Sequence, residues 1–339
     1  MPHRRITALA LALALVAPSG CASTPRPVSV SRPALGTIVT IDAYGTDETG
    51  VRRAIDEAFA TIADVEAELN AYSATSTVAA FNATPFEWHE LPADAGLIFD
   101  AVDRLGVGDT FSPYLLGVER LYDFGGANRV PTDVALSAAL HAASMPERDG
   151  ARMRFRRVAD ATGVPGLDFG GAAKGLALEA ARDGLRSSAA VTAALISAGS
   201  TTVTLGTKPD AKPWRVGVED PRKPNVVRLI AEWTGEGSLS TSGDYQQFFE
   251  RDGVRYHHIL DPKTGAPARG IRSLTVVGRI SGTDSDVLST ALFVDAPDAA
   301  LAYARRHGLA VYIIDSEGRT HLAPAPADSA ISLAEQASE

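Results

Sequence analysis

Residues 193–219 read AALISAGSTTVTLGTKPDAKPWRVGVE, and this stretch decides the fold class. Short apolar and β-branched runs at 193–197, 202–205 and 214–219 are separated by breaks rich in Gly, Ser and Pro, which is the pattern of short strands. Downstream, further strands are predicted at 226–233, 255–260 and 273–277, with a helix around 284–294. A last helix at 299–307 has Pro297 near its start and Gly308 as its stop, and a final strand follows at 311–314. From residue 323 the chain reads as a polar tail.

Upstream, a helix is expected after Gly171. Before it, Ile38, Thr40 and Asp42 alternate with Val39 and Ile41, which predicts a strand. Ile55, Phe59, Ile62, Val65 and Leu69 recur at spacings of four, three, three and four, the apolar stripe of an amphipathic helix. A second helix is expected at 94–105, an ordered loop region at 106–131 and an Ala-rich helix at 135–143. No period repeats. The pattern is an α+β protein, one domain over residues 34–322, with a mixed, largely antiparallel sheet packed by helices and a strand-rich second half.

With 339 residues, a net charge of −9 and 45% hydrophobic residues, the chain is globular in composition rather than disordered or collagen-like. Its acidity, with no basic stripe, argues against nucleic acid as a partner. Residues 1–20 read as an export signal: Arg4 and Arg5, an apolar run from Ala8 to Ala17, then Ser19 and Gly20 before Cys21. That run reaches roughly 15 Å as a helix, against roughly 30 Å of bilayer hydrocarbon, so it is a signal and not a span. Cys21 is the only cysteine, which excludes an intrachain disulfide. Small residues before a lone cysteine resemble a bacterial lipobox, although Pro18 stands where Leu is usual. A conventional cleavage site with an incidental cysteine is the alternative. The lipobox implies a lipid on Cys21 and a membrane-anchored protein of the cell envelope, facing the periplasm or the exterior. Residues 21–33, with Pro25, Pro27 and Pro33, read as a tether.

Four constellations are candidates for chemistry. In Leu167-Asp168-Phe169-Gly170-Gly171-Ala172-Ala173-Lys174-Gly175, paired glycines before a helix let backbone N–H groups approach a phosphate, and Lys174 adds a point charge. A tight turn with a solvated lysine is equally compatible. Ser240-Thr241-Ser242-Gly243-Asp244-Tyr245 clusters hydroxyls, most often the mark of a turn. In Tyr256-His257-His258-Ile259-Leu260-Asp261, strand alternation sends the two histidines to opposite faces, one as a candidate general base and the other exposed. In Asp284-Ser285-Asp286-Val287-Leu288-Ser289-Thr290, Asp286 and Thr290 share a helix face and offer the hard oxygen donors that suit Mg²⁺. A helix cap made by Asp284 or Ser285 is the plainer use of that segment.

The order of the motifs decides between these alternatives. Leu35-Gly36-Thr37, Asn70-Ala71-Tyr72-Ser73, Phe81-Asn82 and the Asp168–Gly175 segment resemble the FAD:protein FMN transferase (ApbE) family. So do Pro213-Trp214-Arg215-Val216-Gly217-Val218, Ser240–Tyr245, His258–Gly265 and Asp286–Thr290. The resemblance spans roughly residues 30–315 and implies a single ApbE-like domain. It implies Mg²⁺ held by the Gly171 carbonyl, Asp286 and Thr290, with Ser289 close by. Leu35, Tyr72, Asp168, Lys174 and Ile259 match flavin-nucleotide positions, and His258 matches the base for the acceptor hydroxyl. The implied reaction moves FMN from FAD, as substrate, to a Thr or Ser of an acceptor protein and releases AMP. The acceptor this suggests is an envelope electron-transfer subunit. FAD hydrolysis to FMN and AMP, or FAD binding without catalysis, are the alternatives. The family's usual Phe-Asp-Pro-Thr loop is Phe111-Ser112-Pro113-Tyr114 here, so no loop contacts are carried over.

Overall fold

The computed structural model describes residues 26–144, 146–157 and 163–336. The expected signal peptide, Cys21 and the start of the tether lie outside the described residues.

The elements run β1 (Val28–Ala34), β2 (Thr37–Gly45), α1 (Glu48–Leu69), α2 (Thr77–Ala83), β3 (His89–Glu90), α3 (Ala93–Leu105), α4 (Leu116–Tyr122) and α5 (Asp133–Ala143). Next come β4 (Pro146–Asp149), β5 (Arg152–Phe155), α6 (Ala173–Ser187), β6 (Val191–Ala198), β7 (Thr201–Leu205), β8 (Trp214–Asp220) and β9 (Lys223–Trp233). The chain continues through β10 (Gly237–Gly243), β11 (Phe248–Arg251), β12 (Val254–His257), β13 (Ile271–Gly278), α7 (Gly282–Val294) and α8 (Pro297–His307). It finishes with β14 (Ala310–Asp315), β15 (Thr320–Ala323) and β16 (Ile331–Glu335).

Eight strands form the main sheet in the order β1-β2-β6-β7-β10-β13-β14-β15, and every ladder in it is antiparallel. Helices cover one face and the small sheet β16-β9-β8 covers the other. Strand parity sorts the side chains. On β14, Val311 and Ile313 enter the helix-side core, while Ala310, Tyr312 and Ile314 enter the core beneath the small sheet. Two covered faces explain why β7, β10 and β14 are buried along their whole length, where an open antiparallel sheet would alternate. The five apolar positions of the expected first helix are all buried in α1, each Leu or Ile contributing about 1.5–3 kcal/mol.

Four expectations need correction. Val28–Ala34, expected within the tether, is a strand paired to β2. Loop region 106–131 contains α4, whose one and a half to two turns are stabilised by packing of Leu116, Val118 and Tyr122 rather than by periodicity. The tail from 323 includes β16, which pairs with β9 and completes the small sheet. The cap of α7 is Ser281, whose hydroxyl accepts from the Asp284 N–H; Asp284 itself takes a bidentate pair with Arg104.

Candidate active site

The site lies where α6 and α7 begin, against the helix-covered face of β7 and β10. Gly175 and Gly282 make this possible. A Cβ on Gly175 would stand 2.1 Å from the Gly282 carbonyl oxygen, and one on Gly282 would stand 2.4 Å from the Gly175 oxygen. The two backbones therefore touch, and the Gly175 N–H, a first-turn amide of α6, donates to Asp286 Oδ2 at 2.9 Å. Asp286 Oδ1 accepts from Ser240 at 2.9 Å and from Thr201 at 3.1 Å. The carboxylate is 3% exposed and is in no ion pair among the described residues.

A ladder of hydroxyls continues from it. Ser289 donates to the Asp286 carbonyl at 3.0 Å and lies 3.3 Å from Ser240. Ser242 lies 3.0 Å from Ser289 and 3.2 Å from the Thr290 hydroxyl. Thr290 in turn abuts Gly171, where an added Cβ would be 3.2 Å from Oγ1. Gly171, Asp286, Ser289 and Thr290 are thus brought together. The segment 240–242 is a central strand and not a turn: Ser240 and Ser242 face α7, while Thr241 faces the other way and pairs with Thr275 at 2.9 Å. Asp244 and Tyr245 stand apart from this ladder, with Asp244 held by a bidentate pair from Arg222.

The donor set suits a hard cation. It offers one buried carboxylate and several hydroxyls beside the Gly171 backbone, with no cluster of three or more His, Cys, Asp or Glu among the described residues.

Leu167 precedes the glycine turn, and the Asn82 side chain brackets it, accepting from its N–H at 2.7 Å and donating to its carbonyl at 2.9 Å. The motif Phe81-Asn82 thereby serves the turn from a distance. Asp168 Oδ1 accepts from Gly170 N–H at 2.6 Å, and Lys174 Nζ reaches the Gly170 carbonyl at 3.5 Å. Lys174 makes no ion pair among the described residues, so its charge is available at the turn. Phe169 and Tyr114 pack on Phe99 at 5.6 and 5.8 Å, which places the divergent loop residue Tyr114 in the aromatic core.

The strand carrying the histidines ends at His257. His257 is buried, donates from Nε2 to the Ala268 carbonyl at 2.9 Å and meets Phe293 edge-on; it is not the exposed residue expected. His258 is half-buried just past the strand end. Its Nδ1 lies 3.3 Å from the Gln247 carbonyl, which can only accept, so Nδ1 carries the hydrogen and Nε2 is left bare. Desolvation above all, then His257, and also Lys174, pull the His258 pKa down to about 4. Burial likewise pulls that of His257 to about 4. His258 therefore stays neutral near pH 7.

Of the remaining candidates, Ile259 is buried in the main core and its carbonyl accepts from Ala268. Leu35 forms with Gly36 a two-residue turn at φ 54° and 69° between β1 and β2. A leucine is uncommon at positive φ, and its N–H is held by Glu66 at 2.9 Å. Tyr72 is exposed, with its hydroxyl on Glu119 at 3.0 Å. No contact joins Leu35 to the Asp286 ladder.

Ser240, Ser242 and Gly175 belong to the constellations singled out in the sequence, though no role is assigned to them there, whereas Thr201 and Glu119 are not among the candidates. Thr201 and Glu119 carried no signal in a single sequence.

The described residues form a single α+β domain with a cluster of oxygen donors beside a glycine-lysine turn at a helix start. Comparison narrows this: the ApbE family profile matches residues 35–313, and the chain belongs to the ApbE family. It is 30% identical to the FAD:protein FMN transferase of Rhodobacter capsulatus over 94% of this chain and 62% of that protein. It is also 30% identical to that of Treponema pallidum over 89% of this chain and 88% of that one. Some matches are shorter; that to the Escherichia coli K12 enzyme spans only 35% of the relative's length. The fold is similar to the crystal structure of an ApbE protein from Thermotoga maritima (TM-score 0.77, 29% identity, 87% of this chain and 96% of that one). It is also similar to the apo flavinyl transferase ApbE of Pseudomonas stutzeri (TM-score 0.75, 29% identity, 91% and 98%).

Proposed function

We propose that this chain is an FAD:protein FMN transferase that uses Mg²⁺ and moves FMN from FAD to a Thr or Ser hydroxyl of an acceptor protein, releasing AMP. The observation that carries it is the buried Asp286 carboxylate, without a cationic partner among the described residues, connected by hydroxyls to Thr290 and Gly171. Asp286, Thr290 and the Gly171 carbonyl would hold the ion, with Ser289 beside them. Bound there, Mg²⁺ would neutralise charge developing on the pyrophosphate.

The chain's own residues supply the remainder. Lys174 and the first-turn amides of α6 attract the phosphates. His258 Nε2 takes the acceptor's hydroxyl proton as its oxygen bonds to the FMN-side phosphorus. The bond from that phosphorus to the AMP oxygen breaks, and AMP leaves with the electron pair. Leu35, Tyr72, Asp168 and Ile259 are assigned to the flavin nucleotide. Family membership and the lipobox-like Cys21 favour an envelope lipoprotein whose signal over 1–20 is removed, leaving Cys21, a tether shorter than expected and a catalytic domain that runs from β1 to β16. Its partner would be an envelope electron-transfer subunit.

The test incubates purified protein with FAD, Mg²⁺ and an acceptor peptide, with mass spectrometry and AMP quantitation. A flavinyl adduct with equimolar AMP is expected. AMP without adduct would point to FAD hydrolysis, and neither product would refute catalysis. Membrane fractionation of Cys21→Ser tests the anchor, which is refuted if attachment is unchanged.

A further inference from the structure

Tyr72 is 73% exposed, yet it is not a free surface ring. Its hydroxyl donates to Glu119 Oε2 at 3.0 Å, and its N–H is held by Asn70 Oδ1 at 2.9 Å. Glu119 sits in the first turn of α4, half-buried. Asp168, at the start of the glycine turn, is close enough for its charge to act on both Tyr72 and Glu119. A tyrosine fixed at its hydroxyl and at its backbone presents a flat ring face to solvent with little rotamer freedom left to lose on binding.

We propose that Glu119 is a positioning residue that tethers the Tyr72 hydroxyl and so fixes the Tyr72 ring as a stacking face for a planar heteroaromatic ring of the dinucleotide, beside the Asp168–Lys174 turn. This rests on the FAD reading above. Burial above all, and the nearby Asp168 charge, raise the pKa of the Glu119 carboxyl. Glutamine at 119 keeps an oxygen that accepts from the Tyr72 hydroxyl. Leucine removes it.

The experiment measures FAD affinity by quenching of flavin fluorescence, with KM and kcat, for wild type, Glu119→Gln, Glu119→Leu, Tyr72→Phe and the Leu/Phe double variant. Glu119→Gln should remain within about 2-fold of wild type. Loss of one net hydrogen bond, about 0.5–1.5 kcal/mol, converts to a Kd raised roughly 2- to 10-fold in Glu119→Leu and in Tyr72→Phe. KM should rise with kcat held, and the double variant should be no worse than either single one. Tyr72→Phe changes only an exposed hydroxyl and carries the test if Glu119→Leu does not fold. Three results overturn the proposal: wild-type affinity in Tyr72→Phe, a kcat collapse in Glu119→Gln, or fully additive losses. Wild type that binds no FAD overturns the flavin reading and this proposal together, whereas wild-type binding with unaffected variants overturns this proposal alone.

Discussion

Replacing Asp286 separates its role as a hydrogen-bond acceptor from its role as a charge. In Asp286→Asn the amide oxygen can still accept from the Gly175 N–H, and the amide nitrogen can donate to the Thr201 or Ser240 hydroxyl, both of which rotate. No buried group is left unpaired, so without Mg²⁺ this variant should melt at or above the wild-type temperature, a buried charge having been removed. Asp286→Ala instead leaves the Gly175 N–H without a partner, a cost of about 1–3 kcal/mol. Adding Mg²⁺ at a hundredfold excess over its Kd should stabilise wild type by about 2.7 kcal/mol. At roughly 2 °C per kcal/mol for a domain of this size, that is a rise of about 5 °C. Neither variant should show it, and neither should release AMP. The assay is thermal unfolding followed by circular dichroism, with and without Mg²⁺. A full Mg²⁺-dependent rise in Asp286→Asn would refute Asp286 as the charged ligand.

Further outcomes follow from the same geometry. Gly175→Ala drives a methyl to 2.1 Å from the Gly282 oxygen, so melting should show a loss of about 1–3 kcal/mol or more, together with reduced Mg²⁺ affinity by calorimetry. His258→Ala should slow transfer by roughly 10²-fold or more while FAD still binds, and the wild-type rate should stay level on acidification until it falls near pH 4. His257→Ala should lower the melting temperature yet retain kcat; a folded but inactive His257→Ala would reverse the assignment. Both histidines have folded pKa values below their unfolded value, so the unfolded chain gains protons first as pH falls. Stability should therefore decline between about pH 6.5 and 4, and denaturant titrations should show a shallower decline in His257→Ala.

Much of the fold was legible where burial is one-sided. The α1 stripe, the alternation of β2 and the Pro297–Gly308 bounds of α8 follow from period and caps, and each is found in place. Reading failed where tertiary contacts override local pattern. Ser240-Thr241-Ser242 looks like a turn because its hydroxyls are polar, yet it is a fully buried strand whose hydroxyls are matched by α7 and by Thr275. Val28–Ala34 looks like a tether because Pro33 ends it, but Pro33 lies next to the turn on an edge strand, where a missing N–H costs little. The two histidines were placed on opposite faces, but the strand stops between them, so the base candidate owes its position to the loop and the Gln247 carbonyl.

The three groups that hold Asp286 come from α6 in the helical layer and from the adjacent strands β7 and β10 of the main sheet, separated by dozens of residues in sequence. None carries a charge: one is a glycine amide and two are hydroxyls. Together they fix the carboxylate before any ion arrives, with the α6 amide end adding favourable potential. A carboxylate held this way loses little side-chain freedom on binding a cation, so more of the ion's interaction energy remains for ordering the phosphates beside it. The same arrangement makes the site depend on the Gly175–Gly282 contact, because any side chain there would separate α6 from α7 and withdraw the amide from Asp286. Metal affinity and fold stability should consequently fall together in variants at this contact. They should separate in Thr290→Ala, which leaves all three Asp286 hydrogen bonds in place and removes a proposed ligand together with one part-buried hydroxyl contact to Ser242.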